Sequence, residues 1–190
     1  MASDVDICNS ALNSIGASNI ISLTEDSKAG RVCNQRFEPV RDAVMRAHPW
    51  NCLIKRATLA QDTTAPAFEY DYSYQLPTDP YCLRVLEAEN EDLMQVTYVI
   101  EGRKLLTDEG TMKIRYLARV TDANEYDSLF LETVSSALAS EISYALANSA
   151  SLQAQMYQIY QAKLSEARFV DATEGTPDEI IATTFTDARR

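Results

Sequence analysis

Any catalytic triad or imidazole-assisted nucleophile in this chain would have to use His48, the only histidine. His48 stands directly before Pro49-Trp50 at the end of a helical pattern, where an imidazole that packs or caps is the commoner occupant. The other reactive groups are Cys8, Cys33, Cys52 and Cys82. Their separations of 25, 19 and 30 residues contain no CxxC pair, so neither a zinc ribbon nor a dithiol redox motif is offered. Free thiols in a reducing compartment are the expectation, with no metal and no cofactor.

Carboxylates are the remaining candidates. Glu87, Glu89, Glu91 and Asp92 lie close in sequence, and a glycosidase needs two such groups flanking one bond. Nothing in their spacing marks two as a pair, and clustered acids on an acidic chain are usually a solvated face. The sequence has no GxxxxGK[ST], GxGxxG, HExxH or GxSxG motif and no EF-hand spacing. Its five glycines are scattered, so no phosphate-cradling loop forms. Phe68, Tyr70, Tyr72, Tyr74 and Leu76 alternate along one edge. Without neighbouring Lys or Arg, that row suits a core or protein interface better than base stacking. Chemistry is not where the residues point, and no catalytic residue is assigned.

The elements that would position these groups belong to one ordinary domain. The 190 residues are 46% hydrophobic and 24% charged, the balance of a soluble globular chain. With 17 basic and 28 acidic residues, the formal charge is −11, which opposes binding to nucleic-acid phosphates. No run approaches the roughly 20 apolar residues that span a bilayer. Residues 1–9 carry two aspartates and no basic side chain, unlike a signal-peptide n-region.

Ile7, Cys8, Ala11, Leu12 and Ile15 form an apolar helical stripe over 4–15, stopped by Gly16. Ser22 and Glu25 have capping-box spacing ahead of a second helix over about 26–47, in which Pro39 should produce a kink. His48-Pro49 ends it. From 50 to about 119, Tyr, Val, Thr and Ile increase and the helical period is lost. Strands are expected at 81–87 and 111–117, with a hairpin turning at Glu101-Gly102-Arg103. Helical periodicity returns over 126–148 and 151–170, where small alanines would let two antiparallel helices approach closely.

The resulting expectation is an α+β, mainly α fold. An antiparallel bundle of about four helices (1–49 and 120–170) carries an inserted small antiparallel β unit (50–119). Residues 171–190 form an extended C-terminal tail with too few apolar groups to fold alone.

Order and spacing of motifs then resemble a known family over nearly the full length. These are Ile7-Cys8-Asn9-Ser10-Ala11-Leu12, Ile15-Gly16-Ala17, Ser22-Leu23 with Glu25-Asp26-Ser27, Cys33, Arg41-Asp42 and His48-Pro49-Trp50-Asn51. They continue through Tyr74-Gln75-Leu76-Pro77, residues 79–85, residues 101–105, Phe130-Leu131-Glu132 and Gln161-Ala162. The chain resembles the head-to-tail adaptors of short-tailed bacteriophages, the tail tubular protein A family.

That resemblance implies a non-enzymatic virion protein at the head-tail interface, assembled in the host cytoplasm. Such adaptors form a twelve-copy ring beneath the portal protein, extend the DNA channel and offer a platform to the tail nozzle. A like-charged wall would let DNA slide through without specific binding, and no membrane is involved. The tail would order itself between portal subunits, with Ile180, Ile181 and Phe185 as anchors and Arg189 and Arg190 on acidic partners. The hairpin Glu101, Gly102 and Arg103 would face the nozzle. His48, Pro49 and Trp50 would set the angle between bundle and β unit. Two other readings stay open: another viral connector or tail-completion protein, and a carboxylate-dependent glycan hydrolase.

Overall fold

The computed structural model describes residues 3–175. Helix α1 (Asp4–Ser14) starts with a reciprocal cap: the Ser3 hydroxyl accepts the Asp6 N–H, and the Asp6 carboxylate accepts the Ser3 N–H. It buries Ile7, Cys8, Ala11 and Leu12 and gives way to Gly16 at φ +70°. Asn9 then fixes the following loop, exchanging two hydrogen bonds of 2.8 and 2.9 Å with the Ile20 backbone.

Helix α2 (Lys28–Ala47) is capped by Ser27, whose hydroxyl accepts the Gly30 N–H at 2.9 Å. Ser22 and Glu25 shape the preceding turn instead: the Glu25 carboxylate accepts from the Ile21 N–H and the Ser27 hydroxyl. A Cβ on Gly30 would come within 2.9 Å of the Glu25 carbonyl oxygen, so glycine is required there. α2 runs unbroken through Pro39. Pro39 and Gln35, whose carbonyl it leaves without a helical donor, are both exposed, so water can satisfy that carbonyl.

Six strands follow: β1 (Ile54–Leu59), β2 (Tyr72–Gln75), β3 (Cys82–Glu89), β4 (Val99–Glu101), β5 (Lys104–Thr107) and β6 (Met112–Ala118). They form two antiparallel three-stranded sheets, ordered β1-β6-β3 and β2-β5-β4. β3 carries two register irregularities against β6, between Cys82 and Arg84 and between Val85 and Glu87. The hairpin turns through Gly102 at φ +59°, with Glu101 opposite Lys104.

Helix α3 (Ser128–Ala147) is capped by Asp127, and α4 (Ala150–Thr173) by Ser149. α3 is buried on most sides, and the hydroxyls of Thr133, Ser136, Ser140 and Ser143 bond back to carbonyls of the preceding turn. Its small side chains admit neighbours on several faces: α4 packs along it, and α1 and α2 pack on it as well.

The expected four-helix bundle with a small β insert is therefore corrected. α1 and α2 pack mainly on α3, and the core they share with it continues into the sheets, so the helices do not form a separate bundle. Among the described residues helix accounts for 47% and strand for 21%, and two sheets flank the helices. Met112, Ile114, Tyr116 and Leu117 of β6 join Phe37, Val44 and Phe130 of the helices in one continuous core. Helical periodicity alone could not reveal this, because it says which face is apolar and not what covers it. α4 also extends through Thr173, past the expected start of the tail at 171.

Candidate functional site

The junction predicted at His48, Pro49 and Trp50 is a packed hub. Trp50 is only 1% exposed, and its indole N–H donates to the Val44 carbonyl at 2.8 Å. Its ring stands edge-on to His48 (centroids 4.8 Å apart) and to Phe130 (5.1 Å), tying α2 to α3. Pro49 is exposed.

His48 reaches a residue that sequence reasoning assigned to the tail. Its Nε2 lies 2.9 Å from Oδ2 of Asp171, in the last turn of α4. Asp171 Oδ1 accepts the Asn51 backbone N–H at 3.0 Å, and the Asn51 amide donates to the Asp171 carbonyl at 2.8 Å. Arg168 adds a bond to the Ala47 carbonyl at the end of α2. Nothing local to Asp171 signals this clasp, which closes over 120 residues of chain.

In the hairpin, Glu101 and Gly102 are exposed at the tip, while Arg103 folds back. Its guanidinium lies 3.8 Å over the Tyr81 ring and donates to the carbonyls of Cys82 (2.9 Å) and Pro77 (2.5 Å). Arg119 approaches the same ring at 4.5 Å and pairs with Asp42 at 2.6 Å. Together with Arg46 and Arg84 these residues line a cleft of about 720 Å³ between α2, β3 and the hairpin. No local spacing reveals this cleft, because the four arginines are dispersed over 74 positions.

Ile180, Ile181, Phe185, Arg189 and Arg190 lie outside the described residues.

Among the acidic candidates, Glu87 pairs with Arg115 across β3 and β6. Glu89, Glu91 and Asp92 flank a turn in which the Asn90 side chain accepts the Asp92 and Met94 N–H groups at 3.1 Å each. Their carboxylates form no ion pair among the described residues. Three of the thiols are raised, and the fourth, Cys33, is fully buried. Cys8 is pushed up by its hydrogen bond with Cys33 and by burial, and Cys33 is correspondingly lowered. Burial raises Cys52 and Cys82 as well. In the aromatic row, Tyr74 is core, donating its hydroxyl to the Glu109 carbonyl at 2.6 Å, whereas Phe68 is exposed. Among the described residues no cluster of three or more His, Cys, Asp or Glu is arranged to hold a metal ion. No described helix is long and apolar enough to cross a membrane.

No protein-family model and no curated protein matches the chain.

Proposed function

We propose that this chain is a structural virion protein, a head-to-tail adaptor whose copies form a ring between the portal and the tail nozzle. The ring extends the DNA channel, and the protein performs no catalysis. The observation that carries this reading is the incomplete burial of α4. Of its 24 residues only Met156, Leu164 and Ala167 are buried, all toward α3, while Tyr157, Ile159, Phe169 and Val170 stay open to solvent. A long, well-capped helix that leaves large apolar side chains uncovered on both flanks and, at Phe169, opposite its buried side is suited to being covered by a neighbouring copy. The net charge of −11 supports a channel wall that repels DNA instead of gripping it.

Within this reading the tail beyond residue 175 engages the portal, and the hairpin tip at Glu101 and Gly102 meets the nozzle. The clasp at Asp171 dictates where a truncation must begin. A chain ending at Gly175 keeps Asp171 and its bonds to His48 and Asn51, so its melting temperature should stay within about 2 °C of the full chain. It should lose binding to the portal ring. Undiminished portal binding by the truncated chain would refute this use of the tail.

A further inference from the structure

The arginine cleft is an electropositive site on a chain whose net charge is −11. Arg46, Arg84, Arg103 and Arg119 line it against one acid, Asp42, a local balance of 4 − 1 = +3. Two of the four are held firmly. Arg103 is committed to the carbonyls of Cys82 and Pro77, and Arg119 to Asp42. Arg46 donates to the Leu83 carbonyl. Arg84 is exposed and its side chain makes no hydrogen bond or ion pair among the described residues, so its guanidinium is available. The rest of the lining includes Leu83, Val85 and the half-exposed Ile100. At about 720 Å³ the cleft falls in the range of roughly 300–1,000 Å³ typical of binding pockets, room for a few side chains. Its chemistry asks for an acidic segment that also brings apolar groups.

The same chain presents such a segment at the other end of β3. Residues 89–94 carry three acids, of which Glu89 lies opposite Lys113 and beside Arg56 while Glu91 and Asp92 are exposed, followed by Leu93 and Met94, each 65% exposed. The turn is preformed by the Asn90 side chain and by Lys113, which donates to the Glu91 carbonyl at 3.3 Å. Preformation lowers the entropy lost on docking. β3 begins at the cleft and ends at the turn, and its eight residues hold the two roughly 20–25 Å apart. The turn therefore cannot fill its own cleft.

We infer that the arginine cleft receives the acidic turn 89–94 of a second copy of this chain, with Arg84 facing Asp92 or Glu91 and Leu93 and Met94 on the apolar lining. Two different patches on one chain make a heterologous contact, the kind that closes a ring or propagates a filament. The inference rests on the ring reading above and supplies one of its contacts.

The test is charge reversal in the full chain, with self-association followed by sedimentation up to about 1 mM, where a millimolar contact is half formed. It is run alone and on the portal ring. Arg84→Glu and Asp92→Arg should each weaken association about tenfold or more at low salt, since like charges then meet. Mixing the two variants, or combining them in one chain, should restore it, and added salt should weaken the wild-type contact. Neither side chain makes a bond among the described residues, so both variants should keep wild-type circular dichroism. Association that ignores both reversals overturns the contact and leaves the ring reading intact. A chain that stays monomeric alone and on the portal overturns both. Binding of duplex DNA that Arg84→Glu removes would show that the cleft serves phosphates, and would also overturn it.

Discussion

His48 Nε2 lies 2.9 Å from the Oδ2 of Asp171, and with the Arg168 bond to the Ala47 carbonyl this contact joins the end of α2 to the end of α4. Asp171 Oδ1 is at the same time held by the Asn51 N–H. Both side chains are mostly buried, at 17% and 10% exposure, so the bond is shielded from solvent competition. The last turn of α4 is therefore anchored beside the junction, close to Trp50 and its neighbours.

Replacing that carboxylate leaves the His48 ring and the Asn51 N–H without their acceptor. Asp171→Ala should cost about 2–3 kcal/mol in denaturant unfolding, the range for a lost charge-assisted bond with partners left unpaired. Asp171→Asn, which keeps an acceptor for Asn51, should cost less. Amide exchange should speed up first at the end of α4. Equal losses for the two variants would show that the geometry of the acceptor is irrelevant.

Trp50 is the largest fully buried side chain and touches both His48 and Phe130. Trp50→Ala should destabilise by about 3–5 kcal/mol, through lost transfer energy and the cavity left behind. Thermal or urea unfolding measures this, and a loss below about 1 kcal/mol would contradict the hub assignment.

Asp62 links β2 and β5: it accepts from the Ser73 hydroxyl at 2.8 Å and pairs with Lys104 at 2.9 Å. The Lys104 bond, then the Ser73 bond, hold its carboxyl below the usual aspartate value. A depressed folded-state pKa gives stability that is present above the unfolded value of roughly 3.9 and is lost as pH falls through the folded value. The β2-β5-β4 sheet should therefore loosen on acidification below about pH 4, seen as faster amide exchange at Tyr74 and Leu105. Asp62→Asn should remove that acid step. An unchanged acid profile in the variant would contradict the linkage.

Arg103 holds the hairpin to the body through Tyr81 and two carbonyls. Arg103→Lys keeps the charge but lacks the planar fork needed for both carbonyls and the ring. It should raise hairpin mobility, read as lower order parameters for residues 99–104, with a stability loss of about 1–2 kcal/mol. Wild-type order parameters would show that the strand pairing alone fixes the tip.

The sequence reveals elements better than their assembly. The helices over 4–15, 126–148 and 151–170 are legible because apolar residues recur at helical spacing, and each lies within a few residues of α1, α3 and α4. Gly102 marks the hairpin because it alone readily takes positive φ there. Pro39 lies inside α2, as its place in the helical pattern implies, and the helix continues through it because the carbonyl it leaves unpaired is exposed to water. The arrangement around α3 is not legible, because its run of Ser and Ala reads as one close contact and in fact accommodates three partners. His48 with Asp171, and Arg103 with Tyr81 and Arg119, depend on chain closure that no local spacing encodes.

Stoichiometry is the most direct test of the adaptor ring proposed above. If the proposal holds, native mass measurement of the chain mixed with the portal ring it is proposed to join should show binding that saturates near one copy per portal subunit. A well-folded portal that binds no copies, or only one or two at saturation, would contradict the account.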